Sequence, residues 1–567
     1  MRKRCCFGAL VVALLATACV PSPFGDSRVF EHAYYVSPTG NDTTGDGSAS
    51  APWRTFAKAF TALKPGDAMV LMDGTYKESL ALPTTLNGTD TSHIVIGAQH
   101  DGKALINGEG TRVPIRVRGN DYIDIEGVVA YNSSAGVIDV DAGSSYDTFR
   151  RDSGYNTAAT CTSSTTDKSI CNHQIWEIVG SSHVVVEDCV AAGRARSIFY
   201  VFQSSNTTVR RCWMRGDRGT GWSSNPADHG TYSTYQSDHT VFENNIIADP
   251  VPTELQSAHG VHDWNNVYGG PSSQVSVGNR YLGNVVGSIG QNAMGIGGTQ
   301  CKLTRNHEWH DNVVVQSEKL SGAWRRGFAV RLGKNMTMDH FTLIGDSATT
   351  SGTEQEGLWV NASVYSDQDY DCSPLNSSGQ HYGAWGFYKD SSSSSPTQHS
   401  GFDFTMTVKN SVIEGYRVGF EAETNNSTPA VITTSHNNVQ GNGTNYLGSV
   451  TASGGTGNTS TALTWNTTKY GKGAYFMGAT NAPVGDDGQA IGAHVLYEYK
   501  DGILTGTHLW PFPMEDRIWN ETGNTALWEG ANSLYKAYQQ SATWDGATVS
   551  GQLRTGGWWK TLDAVYP

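Results

Sequence analysis

One nine-residue phrase returns along this chain: His183-Val-Val-Val-Glu-Asp-Cys189-Val-Ala191, then Asn206-Thr-Thr-Val-Arg-Arg-Cys212-Trp-Met214, then His239-Thr-Val-Phe-Glu-Asn-Asn245-Ile-Ile247. A strand this short cannot bury its apolar side alone, but stacked on copies of itself it can, so the phrase predicts a solenoid of repeating coils. Further copies lie at Tyr122 to Val128, Gln274 to Arg280, His310 to Val315, Met338 to Ile344 and Val408 to Ile413. Successive copies start 23 residues apart from His183 to Asn206 and 33 apart from Asn206 to His239, so loops absorb the difference. The slot held by Cys189, Cys212, Asn245, Asn312 and Asn410 is expected to turn inward at a bend, where stacked side-chain amides bond along the axis.

The repeat bounds the architecture more tightly than length does. A chain of 567 residues has room for several globules, but the phrase runs through most of it and favours one elongated domain. Glycine is abundant at 65 residues, only 16% of residues are charged, and no long amphipathic helical pattern follows the N-terminus, so an all-β chain is expected. With strands ~4.8 Å apart, about ten to twelve coils give a rod of roughly 50 to 60 Å. The expected divisions are a targeting segment at 1–19, an N-terminal strand and cap at 20–80, coils at 81–440, and a last coil plus a strap packed on the rod at 441–567. Stretches rich in Ser, Thr, Gly and Asn predict insertions at 141–172, 345–401 and 441–482.

Residues 1–19 carry Arg2, Lys3 and Arg4, an apolar run from Phe7 to Leu15, and then Ala16-Thr-Ala-Cys19, which is the pattern of an export signal. The small residues before Cys19 suit lipidation of that cysteine, and Ala-x-Ala suits ordinary signal cleavage; the lipoprotein form is the one adopted. The expectation is an exported protein, at the bacterial surface or secreted, touching membrane only through lipid on Cys19 and monomeric. Six further cysteines would then meet an oxidising compartment. Cys161 with Cys171 is the favoured bridge and Cys301 with Cys372 a weaker one, while Cys189 and Cys212 share one slot and are expected to stack reduced inside the coil. A net charge of -14 argues against a nucleic-acid partner.

The N-terminal region reads Tyr34-Tyr-Val-Ser-Pro-Thr-Gly40-Asn-Asp42, Ala51-Pro-Trp53-Arg-Thr-Phe56, Lys64-Pro-Gly-Asp67 and Asp73-Gly-Thr-Tyr76. This resembles the opening of secreted right-handed parallel β-helix proteins, the pectate-lyase-like group. The resemblance implies a single right-handed parallel β-helix with a short capping helix, here from about Phe56 to Leu63, closing the first coil. It also implies a polysaccharide-active protein, since pectate-lyase-like enzymes use Lys or Arg as base on a parallel sheet face, often with Ca2+ held by acidic side chains.

The strongest local anomaly is six arginines between Arg194 and Arg218, where 39 Lys and Arg spread over 567 residues would supply fewer than two. Arg194 and Arg196 follow one strand, Arg215 and Arg218 the next, so stacking is expected to gather them, with Asp217, into a track for an anionic polymer. The alternative is a ladder of ion pairs with Glu187, Asp188, Asp217 and Glu243, a reading that suits Arg210 and Arg211 best. Elimination next to a uronate carboxylate needs a base beside cations or calcium. His229, Tyr235, Lys334 and Arg218 are the catalytic candidates, and Arg194, Arg196, Arg215, Asp217 and Arg331 the substrate-binding ones; Glu254, Gln256, His259 and His262 come after the third strand phrase in sequence and are assigned no role in this elimination. Acid density at Asp367, Asp369 and Asp371, or at Asp42 with Asp46, leaves Ca2+ open, and no metal ligand set is assigned. His310 reads as structural. The preferred expectation is a polysaccharide lyase, with a glycoside hydrolase using acids such as Asp217, Asp249 and Glu254, a uronate epimerase, and a non-catalytic glycan-binding surface protein as the alternatives.

Overall fold

The computed structural model describes residues 20–157, 174–193, 195, 197–216, 230–247, 259–265, 276–287, 292–298, 304–316, 325–331, 333–345, 355–361, 387–388, 397–398, 404–423, 430–448, 455–467, 474–510, 512–522, 543–544 and 547–548. The candidate export signal and the four cysteines proposed to pair lie outside them. The predicted repeat folds into three long parallel sheets of thirteen, twelve and twelve strands, and each coil gives one strand to each sheet. One coil runs through Val185–Glu187, Val190–Gly193 and Ser197–Phe202 in the first, second and third sheets; the next runs through Thr208–Arg210, Trp213–Gly216 and Gly230–Tyr235. Between them Val186 pairs with Val209, Ala191 with Met214 and Val201 with Thr234, all in parallel register.

Alternation along each strand sends one set of side chains into the rod, where Val186, Val209, Met214, Phe199 and Tyr232 belong to one continuous apolar core. The predicted cap is present as the helix Phe56–Phe60, with Thr55 as N-cap, and Phe56, Ala59 and Leu63 close the core's first coil. Among the described residues the other helices are Ala474–Met477 and Glu515–Thr522, and none is long and apolar enough to cross a membrane.

The corner between the first and second sheets explains the repeat. One residue takes a left-handed conformation, as at Asp188 (φ 55), Arg211 (φ 51) and Asn244 (φ 52), a region in which Asn and Asp are enriched. The next residue turns inward: Asn245 Oδ1 accepts from Cys212 N at 2.9 Å, and Asn245 Nδ2 donates to Val209 O at 2.9 Å and to Asn284 Oδ1 at 3.2 Å. Asn284 Nδ2 in turn donates to Asn312 Oδ1 at 2.9 Å, so the expected amide ladder exists and includes Asn284 as well. Cys189 and Cys212 are free, buried thiols in the same column. Asn410 is a correction: with φ 51 it occupies the left-handed corner, and Ser411, just before the strand Val412–Glu414, fills the inward slot. The predicted insertion at 141–172 also contracts, because Thr148–Arg150 and Ser153–Thr157 are strands of an ordinary coil. Likewise Gln355–Asn361 and Thr444–Gly448 are third-sheet strands inside the stretches assigned to insertions.

The outer faces of the three sheets differ. On the second, Val190, Trp213, Ile246, Val285 and Val313 pack under Ala493, Val495, Leu509, Trp510, Phe512 and Ile518, so the strap covers this face as a second apolar layer. On the first, the register stacks Glu126, Arg150, Glu187, Arg210 and Glu243 as an alternating charge ladder. Arg210 Nε donates to Glu187 Oε2 at 2.8 Å, Arg210 Nη1 to Asp501 Oδ1 at 2.7 Å, and Arg211 Nε to Asp188 Oδ1 at 2.6 Å. The ion-pair ladder is therefore the correct reading of Arg210 and Arg211.

Candidate active site

The first sheet's outer face is taken up by the ion-pair ladder and the second's by the strap, and the third sheet's outer face carries Tyr200, Phe202, Tyr235 and His262. Its outward rows follow from register, since each strand alternates and the inward set is fixed by Phe199, Tyr232, Val261 and Met294 in the core. One outward row runs Arg116, Asp139, Glu177, Tyr200, Ser233, His262, Gly295, Ala329, Trp359, Glu421. Val179, Phe202, Tyr235 and Gly297 form the row beside it, and Trp264, Arg331, Asn361 and Glu423 are at the matching backbone register positions.

At the centre of these rows the Tyr235 hydroxyl lies 3.0 Å from His262 Nδ1, and the His259 and His262 rings stack with centroids 4.4 Å apart. Tyr235 is 8% exposed and His262 5%. On the next coil the two outward positions are Gly295 and Gly297, which put no side chain over the sheet beside the pair. Tyr200 and Phe202 flank it from the other direction, Tyr200 with its ring 5.5 Å from that of Tyr235. Farther along, Arg326 lies with its guanidinium carbon 3.8 Å from the Trp359 ring centroid and its Nε 3.0 Å from Glu356 Oε2. Toward the other end, Asp139 and Glu177 stack on adjacent coils, with Arg116 3.5 Å from Asp139. Burial, with help from Asp141, pushes Asp139 up to about 6; burial and the charges of Asp139 and Asp141 push Glu177 up to about 7.

Of the residues picked out by sequence, the structure places Tyr235 in this centre and Arg331 at the backbone register position between Gly297 and Asn361. Lys334 stands off the third sheet, in the two-residue strand Gly333–Lys334, whose partner is Thr304–Arg305 at the corner before the first sheet. Arg215 has no exposed surface and belongs to the second-sheet strand Trp213–Gly216, two residues on from Trp213. Its guanidinium carbon is 5.4 Å from the Trp213 ring centroid. The strand extends through Arg215, a residue expected in the loop that follows it. His229, Arg218, Asp217, Arg194 and Arg196 lie outside the described residues, as do Asp249, Glu254 and the acids Asp367, Asp369 and Asp371. Asp42 is committed to the cap helix, where Oδ1 accepts from Arg54 N at 2.8 Å and Oδ2 from Thr55 Oγ1 at 2.8 Å, and Asp46 accepts from Ser48 N at 2.9 Å. These bonds give the two acids a structural role and do not form a Ca2+ cage. Among the described residues no group of three or more His, Cys, Asp or Glu converges as a metal site. His310 pairs with Asp339 at 3.5 Å on the first sheet, as its structural reading requires.

The pairing of Tyr235 with His262 escaped the sequence reading because it depends on register across a loop. The spacing from Tyr235 to His262 is 27 residues, unlike the 23 and 33 of the neighbouring repeats, and nothing local marks it. The only local hint is His259-Gly-Val-His262, two histidines on one short strand.

Residues 34–183 match the family described as Pel9A-like, right handed beta helix region. The match spans five first-sheet strands, from Ala33–Val36 to Thr148–Arg150, and with the sheet topology it makes this rod a pectate-lyase-like right-handed parallel β-helix. Among solved structures the chain is similar to the pectate lyase Pel9A, at 15% identity over 81% of this chain and 87% of that chain, with a TM-score of 0.37. It is also similar to a mannuronic acid specific polysaccharide family 6 lyase from human gut microbiota, at 14% identity, 75% and 85% coverage and a TM-score of 0.39. A third is the A-module of the Azotobacter vinelandii mannuronan C-5 epimerase AlgE6, at 12% identity, 71% and 93% coverage and a TM-score of 0.40. No curated protein matches the chain.

Proposed function

We propose that this chain is an exported, carbohydrate-active protein that acts on an acidic polysaccharide by β-elimination, with Tyr235 and His262 handling the protons. The hydrogen-bonded Tyr235 and His262 pair on the outward face of the third sheet carries the reading. Elimination removes the proton beside a uronate carboxylate; the electrons of that C–H bond form the C=C double bond, the glycosidic C–O bond breaks, and the departing oxygen takes a proton. An imidazole and a phenol within hydrogen-bond reach supply an acceptor and a donor for these transfers. A cation must also offset charge on the carboxylate as it develops. Arg331, whose backbone register position is that of Gly297 one coil on, is a candidate, with Arg194, Arg196 and Arg218 as further candidates. The absence of side chains at Gly295 and Gly297 gives a sugar ring access to the pair. Ca2+ dependence belongs to the test.

Hydrolysis is a second reading that one observation favours. Asp139 and Glu177 are register partners on adjacent coils, and burial raises both carboxyls, to about 6 and about 7, as a carboxyl that must hold a proton for acid catalysis requires. Pectate, alginate, ulvan and glycosaminoglycans, offered with and without a chelator, separate the readings. An ultraviolet-absorbing unsaturated product supports elimination, reducing ends without absorbance support hydrolysis, and binding with neither supports a glycan-binding role.

A further inference from the structure

Directly behind His262 the rod interior breaks its own rule. The inward column of the third sheet reads Val201, Thr234, Asp263, Ile296, Val330, Val360 in successive coils, so a carboxylate stands in an otherwise mostly apolar stack. Asp263 is fully buried, and a buried carboxylate is costly unless its oxygens are bonded. Here they are. Ser276 Oγ donates to Oδ1 at 3.0 Å; Asn279 Nδ2 at 3.0 Å, Tyr281 OH at 2.7 Å and His307 Nε2 at 2.9 Å all meet Oδ2. All four partners are themselves buried. Burial raises the carboxyl's pKa, but the His307, Asn279 and Tyr281 contacts outweigh it and hold the group below the usual carboxylate range.

The partners come from elsewhere in the coil. Ser276 and Asn279 sit at the corner before the first sheet, Tyr281 lies on the first-sheet strand Arg280–Leu282, and His307 precedes the next one, Glu308–His310. The network therefore ties the strand His259–Asn265 to two coils of a different sheet across the rod interior. The nearby coils have Val201, Thr234, Ile296 and Val330 at this position and so present no carboxylate there. A purely structural need would be met by an apolar cluster in place of Asp263 and its four partners together, since replacing whole buried ionic groups with well-packed apolar ones is often neutral or stabilising.

We propose that Asp263 is a positioning residue for the reaction: by anchoring the strand from behind, it fixes His262 in the orientation that meets Tyr235. The effect reaches the substrate only through His262, so its signature is a change in turnover and in pH dependence at constant substrate affinity. This inference rests on the function proposed above for Tyr235 and His262.

The test compares Asp263→Asn, Tyr281→Phe, Tyr235→Phe and His262→Gln in the full chain, on whichever of pectate, alginate, ulvan or glycosaminoglycan the wild type cleaves. Folded fraction is followed by circular dichroism. Asp263→Asn is expected to lower kcat about tenfold or more with KM within about twofold, and to move the pH optimum, because sub-ångström to 1 Å misplacement of a reacting group costs one to two decades. Tyr281→Phe removes one donor and is expected to lower kcat in the same direction by a smaller factor; it also decides the matter if Asp263→Asn does not fold. Folded variants with wild-type kcat and pH profile, alongside inactive Tyr235→Phe and His262→Gln, would overturn the positioning role alone. Full activity in Tyr235→Phe and His262→Gln would instead overturn the underlying functional reading.

Discussion

Tyr235 and His262 are diagonal neighbours on adjacent coils of the third sheet, their side chains joined at 3.0 Å between a hydroxyl and a ring nitrogen. The strands that present them are held by the continuous core beneath, so removing either polar group should leave the rod standing. Tyr235→Phe and His262→Gln are each expected to reduce kcat by about 10²- to 10⁴-fold, the range that general acid and base groups contribute. The melting temperature, measured by circular dichroism, is expected to stay near that of the wild type.

Arg210 gives the opposite pattern. It is clamped between Glu187 and Asp501, and its side chain is only 10% exposed. Arg210→Met removes one cation from the ladder while Glu187 keeps Arg150 and Arg211 and Glu243 keeps the N–H groups of Asp501 and Gly502, so it is expected to cost about 1 to 3 kcal/mol in denaturant unfolding, the range for lost hydrogen bonds to charged groups. Activity per folded molecule should be unchanged. Loss of activity without loss of stability would contradict the ladder reading of Arg210.

How much of this was legible divides along a physical line. The repeat phrase located the coils and the amide column because stacking requires the same residue type at the same bend in every turn, and the Trp53-Arg-Thr-Phe56 segment marked the capping helix. Asn410 was misplaced by one position since Asn suits both the left-handed corner and the inward slot, and only the strand start at Val412 decides between them. Arg215 was misplaced because a strand end cannot be read from composition. The partnership of Tyr235 with His262, and of Asp263 with His307, depends on which residues fall opposite one another after loops of unequal length, and no local pattern encodes that.

Acid behaviour follows from two interior carboxyls. Burial lifts both Asp147 and Asp152 to about 8 from an ordinary 3.8, with backbone bonds from Ile123 and Val128 only partly opposing it. The folded rod therefore keeps protons that the unfolded chain releases, and the stability this confers is fully present below about pH 4 and lost as pH rises toward about 8. Asp152→Asn, which keeps the acceptor for Val128 N and matches the Asn found in later coils at this slot, is expected to raise stability at about pH 8 and leave it unchanged at about pH 4. Urea unfolding at the two pH values checks this.

Cys189 and Cys212 lie in the amide column with almost no exposed surface, and burial together with their mutual contact raises the Cys189 thiol well above its usual range. Thiolate, the reactive form, is thereby suppressed. Both are expected to resist an alkylating reagent in native buffer and to react fully in denaturant, as mapped by peptide mass spectrometry.

The central claim is that the third-sheet face around Tyr235 and His262 performs elimination on an acidic polysaccharide. The most direct measurement is the rate of ultraviolet absorbance gained on pectate, alginate, ulvan and glycosaminoglycans by the wild type and by the folded double variant Tyr235→Phe/His262→Gln. The account predicts unsaturated product from at least one of these with the wild type and near-complete loss with the double variant. Equal rates from the two proteins, or reducing ends released with no absorbance, would contradict it.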